Sequence, residues 1–246
     1  HGRRGAQGQL RARGALSQGM ADCRLWLGTL DDARVADGEG HDWLTPAEQS
    51  RLAGLSAPLR RRQFLAGHWR LRALAAEFAG GQAGDWRLAA APGGQPWLEG
   101  PGDARLCASI SHSGEWLAVA VAARAIGVDV EVPRRERDYD ALARHVFAPA
   151  EVARHEALAG AERLAAFNTT WALKEAFGKR AGQGLQPHAA RGTGSEPAPA
   201  AEAEAFTWPL PGDGALAVAA WPGVVPGLHA AATLGAARGW RYRPAG

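Results

Sequence analysis

Asp129 and Glu131 lie two residues apart in the run AIGVDVEV. In an extended strand, residues i and i+2 project from the same side. The two carboxylates therefore leave one face together, while Val128, Val130 and Val132 occupy the other. Like charges this close need a cation or solvent between them. One or two carboxylates plus phosphate oxygens are the usual holders of Mg2+. The plainer alternative is the polar outer face of an edge strand. Further along stands Trp171-Ala-Leu-Lys174-Glu175-Ala-Phe-Gly-Lys179. Glu175 and Lys179 are i and i+4 on a predicted helix and share a face. Alone, such a pair contributes only ~0.2–0.5 kcal/mol and implies no more than a solvated surface. Lys174 and Lys179 are nevertheless the only lysines among 28 basic side chains. A third group, Ser109-Ile-Ser111-His112-Ser113-Gly114, gathers hydroxyls, an imidazole and turn amides, which bind an anion or simply make a turn. A fourth, Arg60, Arg61, Arg62, Arg70 and Arg72, loads one predicted helix with guanidinium groups. These match phosphate oxygens, or else form a solvated cationic face.

Several chemistries are excluded by what the chain lacks. It has no Walker A sequence, no G-x-G-x-x-G after a strand and no Cys/His zinc spacing. The Ser-rich turn does not have the spacing of a nucleophile elbow. The formal charge is +3 and the pI about 9.3, which would suit a nucleic-acid binder. Arg3, Arg4, Arg11 and Arg13 lie in residues 1–19 with no acidic residue among them, and without them the formal charge is one unit negative. The basic pI thus belongs largely to the tail. With His at position 1 and the only Met at position 20, residues 1–19 are expected to be a disordered or upstream-translated extension. Neither a membrane-spanning run nor a signal-type segment is visible. Two isolated cysteines, Cys23 and Cys107, suit a reducing compartment, so a cytoplasmic protein is expected.

The elements that must carry these groups follow from patterning. Residues 22–28 alternate as a strand. Thr45-Pro46 opens a helix through about Leu55. A second helix runs from Pro58 to Ala79, stopped by Gly80-Gly81, with Leu59, Leu65, Trp69, Leu74 and Phe78 as its expected buried set. A Gly/Pro-rich loop with a short strand occupies 91–103. Strands are expected at 105–111, 116–123 and 125–132, the first two as a hairpin. Helices follow at 149–158 and 161–180, the latter anchored by Phe167, Trp171 and Phe177. Residues 186–205 read as a mobile loop, and strands return at 215–221 and 228–234. This order is α+β, not a regular βαβ alternation.

In chain order, GHWRLRAL, GGQPWL, SISHSGEW, IGVDVE, VFAPAE, WALKEAFGK and GQGL resemble the 4'-phosphopantetheinyl transferase superfamily. The likeness is to the two-domain type that activates carrier proteins of peptide and polyketide synthesis. It spans about residues 58–185. The resemblance implies two similar α/β halves related by a pseudo-twofold, each a small mostly antiparallel sheet with packed helices. The halves would be residues 20–123 and 124–246, with coenzyme A between them. It implies Mg2+ on Asp129, Glu131 and Glu175, Glu175 as base, and Lys179 at the departing phosphate. It also implies coenzyme contacts from Arg61, Arg62, Arg72, Gly94, Gln95, Pro96, Ser111, His112, Lys174 and Lys179, with Lys174 alternatively supporting a loop. The expected reaction moves the phosphopantetheine arm to a Ser of an apo acyl or peptidyl carrier protein and releases 3',5'-ADP. The expected protein is a monomer that binds neither nucleic acid nor membrane. The sequence departs from the family at Gln95, where Lys is frequent, and at His68. The other readings are a different Mg2+-dependent pyrophosphate-cleaving enzyme, a nucleic-acid module built on the Arg-rich helix, and a non-catalytic family member.

Overall fold

Eleven strands and six α-helices are formed by the residues that the computed structural model describes, which are 22–33, 41–90, 94–134 and 137–245. The expectation for residues 1–19 lies outside that set. The chain opens with β1 (Cys23–Thr29), then α1 (Pro46–Ala53) and α2 (Pro58–Ala79). Next come β2 (Arg87–Ala90), β3 (Pro96–Glu99), β4 (Arg105–Ser113) and β5 (Trp116–Ala122). After β6 (Gly127–Glu131) the chain forms α3 (Tyr139–Val146), α4 (Pro149–Glu156), α5 (Gly160–Arg180) and α6 (Pro187–Arg191). It closes with β7 (Thr193–Pro197), β8 (Ala205–Leu210), β9 (Gly214–Ala219), β10 (Gly227–Ala230) and β11 (Arg238–Pro244).

Two sheets result, ordered β10-β1-β5-β4-β3-β2 and β6-β9-β8-β11-β7. Every pairing is antiparallel except β1 with β10. The connectivity repeats. Each half starts with a strand, passes through a long helix, and returns as a hairpin whose second strand pairs with the opening strand: β5 with β1, and β9 with β6. Strand alternation sets the layers. One face of the first sheet, through Leu106, Ala108, Leu117, Val119 and Val121, packs on α2. Its other face, through Leu25, Leu27, Ala118 and Ala120, meets Val128, Val130, Phe206, Leu216 and Val218 of the second sheet. The outer face of the second sheet, through Ala215, Ala217 and Ala219, packs on Ala172, Leu173 and Ala176 of α5. The order helix, sheet, sheet, helix is the α+β architecture expected.

Three expectations change. Residues 186–205 are not a loop: they contain α6 and β7, and β7 pairs with β11 through Tyr242 and Ser195. Their Pro and Gly content reflects turns between short elements. On α2, Leu74 and Phe78 are buried as expected, but Leu65 and Trp69 are only partly so, and Leu59 is exposed. The buried stripe runs through Phe64, Gly67, Leu71, Leu74 and Phe78. That 3.6-residue phase extrapolates back to position 60, not 59. The expected strand at 228–234 is β10, which leaves the C-terminal half and hydrogen-bonds to β1 of the other. Among the described residues no helix is long and apolar enough to cross a membrane.

Candidate active site

A cavity of about 600 Å3 lies between the halves. The second half contributes β6 and α5. Gly127 begins β6 where the strand crosses α5, and a Cβ there would run into the Ala176 carbonyl. Gly178 meets the following turn as closely, at the Gly184 carbonyl. These two contacts bring Asp129 against the last turns of α5. Asp129, Glu175 and Lys179 line the cavity together. Lys179 Nζ lies 2.7 Å from Asp129 Oδ1 and donates to the Val128 carbonyl at 3.1 Å. Asp129 Oδ2 is buried without a hydrogen-bond partner. Burial, reinforced by the negative charge of Asp129 and only partly offset by Lys179, pushes Glu175 up to about 7. Glu131 is also raised, first by burial and then by Asp129. It sits just outside the cavity lining, with Arg137 at 3.6 Å and Ser113 Oγ at 3.3 Å. Among the described residues no three His, Cys, Asp or Glu side chains converge into a ready-made metal cage. Asp129 and Glu175 face the cavity, and Glu131 supports them from one strand step away.

The first half supplies cations and polar groups. Gly94, Gln95, Pro96, Ser111 and His112, the expected coenzyme contacts of this half, line the cavity. The Gln95 amide donates to the Ile126 carbonyl, tying this segment to the second half. His112 faces Arg60 with a ring nitrogen at 3.2 Å. Burial first, then Arg60 and Lys179, hold His112 down at about 4, so its imidazole is neutral and hydrogen-bonds without carrying charge. The Ser111 hydroxyl points at the second half and donates to Asp129 Oδ1 at 2.7 Å.

Four expected ligands lie elsewhere. Arg72 is fully buried and donates to Glu48, the Trp86 carbonyl and the His68 carbonyl. These hydrogen bonds tie α2 to α1 and to the segment before β2, because a buried guanidinium must be paired. Arg61 donates to the Leu52 and Leu55 carbonyls at the end of α1. Arg62 pairs with Asp31 and Glu115. Lys174 is buried against Glu151 at 2.6 Å and donates to the Ala190 and Thr193 carbonyls. It supports the α6–β7 segment and is not among the residues that line the cavity.

Arg51 was missed, and Arg60 was not set apart from its neighbouring arginines; both line the cavity with Gln63, Phe64 and His68. The signal was present. Arg60, Phe64 and His68 are i, i+4 and i+8, so one helical face carries all three. His68 Nδ1 sits 2.6 Å from Glu48 Oε1. Burial holds His68 below its ordinary value, so it is the neutral partner of the Glu48 carboxylate. With Arg61, Arg62 and Arg72 paired within the protein, and Arg70 on Glu77, α2 offers no continuous cationic face.

Residues 125–198 match the family model of the 4'-phosphopantetheinyl transferase superfamily. The chain is 29% identical over 179 residues to 4'-phosphopantetheinyl transferase HetI of Nostoc sp., a match covering 65% of this chain and 76% of that protein. It is 33% identical over 92 residues to a 4'-phosphopantetheinyl transferase of Bacillus subtilis, covering 37% and 39%. It is 36% identical over 90 residues to a putative 4'-phosphopantetheinyl transferase of Haemophilus influenzae, covering 34% and 36%.

Proposed function

We propose that the chain, like the 4'-phosphopantetheinyl transferases it resembles, moves the 4'-phosphopantetheine arm of coenzyme A to a serine hydroxyl of an apo carrier protein. Mg2+ is the proposed metal, and 3',5'-ADP the proposed second product. The single observation that carries this reading is the polarity of the cavity. Arg51 and Arg60 lie on its first-half wall, and Asp129, Glu175 and Lys179 on the other. A pyrophosphate linking a nucleotide to an extended arm is matched by such a pair of walls.

The residues fit a hard cation. Asp129 Oδ2 is a buried oxygen with no partner, and the Asp129 charge adds to burial in raising both Glu131 and Glu175. A few carboxylates without a closed cage suit Mg2+, which takes its other ligands from phosphate oxygens and water. When bound, the metal would neutralise pyrophosphate charge and make the β-phosphorus more electrophilic. Asp129 and Glu175 would hold it, with Glu131 behind them.

The chain's own groups supply positioning and proton transfer, which are most of what phosphoryl transfer needs. Arg60 and Arg51 hold anionic oxygens at the nucleotide end. Glu175 accepts the proton of the carrier serine as its oxygen attacks the β-phosphorus. Before any cation binds, burial and the Asp129 charge raise the Glu175 carboxyl to about 7, and it faces the cavity beside Asp129. The bond from the β-phosphorus to the bridging oxygen breaks, and Lys179 stabilises or protonates that oxygen as 3',5'-ADP departs. Lys can transfer a proton where Arg cannot readily do so.

Asp129→Ala tests the assignment. It is expected to lower kcat at saturating Mg2+ by about a hundredfold or more, the usual size of a lost charge-stabilising group. Thermal unfolding should show a folded protein. Wild-type turnover in a folded Asp129→Ala protein would refute the site.

A further inference from the structure

The two sheets meet through a seam of serine hydroxyls. β6 is the edge of its sheet, and its outward amides have no strand to pair with. Unpaired edge amides buried from water must find other acceptors. Three serines of β4 provide them at a two-residue period. Ser109 Oγ accepts from the Val128 amide at 3.0 Å, Ser111 Oγ from Val130 at 3.2 Å, and Ser113 Oγ from Val132 at 3.2 Å. A hydroxyl that accepts also has a proton to donate. Ser111 gives its proton to Asp129 at 2.7 Å, and Ser113 gives its to Glu131 at 3.3 Å. Each carboxylate belongs to the residue just before the amide that the same serine binds. At the Ser109 step that preceding residue is Gly127, which has no side chain.

We propose that Ser111 and Ser113 are positioning residues, whose hydroxyls seat the edge of β6 on β4 and aim the Asp129 and Glu131 carboxylates. One oxygen sets both the register between the halves and the orientation of an acidic side chain. The halves must therefore be in register for Asp129 to face the cavity. This changes the role of Ser111 from the coenzyme-phosphate contact implied by resemblance. The catalytic part of the proposal rests on the function proposed above, while the seam itself does not.

Backbone amide exchange by NMR, on the protein without ligands, reads the seam directly. Ser111→Ala leaves the buried Val130 amide and an Asp129 oxygen without a partner. Exchange at Val130 is expected to quicken by about tenfold or more relative to Val119 in the sheet core, with Ser111→Thr restoring it. In transfer assays Ser111→Ala should lower kcat about tenfold while the KM for coenzyme A changes less than about twofold, and Thr should recover most of the loss. Ser113→Ala, which breaks the longer bond to Glu131, should show the same pattern at Val132 with a smaller fall in kcat. Unchanged exchange at Val130 in a folded Ser111→Ala protein would overturn the seam. A raised KM with kcat intact would overturn the positioning role and make Ser111 a coenzyme ligand. If the wild-type protein transfers nothing, the functional reading fails, and the exchange measurement still decides the seam.

Discussion

Arg60, Arg61 and Arg62 are consecutive in sequence and have three different roles. Arg60 faces the cavity, Arg61 ties down the end of α1, and Arg62 pairs with Asp31 and Glu115 at the surface. Arg60→Ala is therefore expected to raise the KM for coenzyme A about tenfold with kcat nearly unchanged, as loss of a ground-state contact does. Arg62→Ala should leave both within about twofold. Steady-state kinetics of the two variants checks the distinction. Lys174 belongs to a different class again. Lys174→Met would leave the Glu151 carboxylate buried without its cation, at a cost of about 3–5 kcal/mol. Chemical denaturation would read that loss, whereas a phosphate contact would show in KM with stability unchanged. Residue types and their spacing made Asp129 with Glu131, and Glu175 with Lys179, legible as two pairs, and only the family resemblance joined them into one site. The choice among neighbouring arginines was not legible from charge alone. It follows from helix phase, which puts 60 with 64 and 68, and from buried partners such as Glu48 that lie distant in sequence from Arg72.

At the scale of elements, the site depends on how closely β6 approaches α5. Gly127→Ala would place a Cβ against the Ala176 carbonyl. Backbone on both sides cannot yield cheaply, so the variant is expected to lose several kcal/mol or to fail to fold. Soluble yield and the denaturant midpoint report it. The α1–α2 junction carries a pH dependence. Burial works against the Glu48 carboxylate, but hydrogen bonds from His68 and Arg72 outweigh it and hold the group at about 2, below its ordinary 4.5. A depressed carboxylate contributes stability above its unfolded value, and that contribution is lost as pH falls from about 4.5 toward 2. His68, depressed mainly by burial, resists protonation, so its loss begins as pH falls below its ordinary 6.5. The contribution of this junction should thus be level above pH 7 and decline below about 6, while Glu175, raised to about 7, contributes in the opposite direction as pH falls toward 4.5. Glu48→Gln should cost about 3 kcal/mol at pH 7, from the size of the depression. The variant should also show a flatter profile below pH 4.5. The helices α2 and α5 and the β4–β5 hairpin were readable because each has caps, stops or alternation. β7 and α6 were not. Their short Pro- and Gly-rich sequence has no period of its own, and they are held by the buried Glu151, Lys174 and Ser195 group.

At the scale of the whole molecule, neither half owns a complete core. Val128, Val130, Phe206 and Val218 of one sheet are buried against Leu25, Leu27, Ala118 and Ala120 of the other, and β10 crosses to pair with β1. Residues 20–123 made alone are expected to lack a cooperative unfolding transition and to expose that apolar face to a dye such as ANS. The cavity inherits this arrangement, because Arg60 and Glu175 meet only when both sheets are in place. The proposed transfer of a phosphopantetheine arm is tested most directly by mass spectrometry. The protein is incubated with coenzyme A, Mg2+ and a panel of apo carriers from fatty-acid, polyketide and nonribosomal-peptide systems. At least one carrier should gain about 340 Da on its serine, a covalent modification, with an equal amount of 3',5'-ADP released. A folded protein that binds coenzyme A yet shifts the mass of no carrier in the panel would contradict the account.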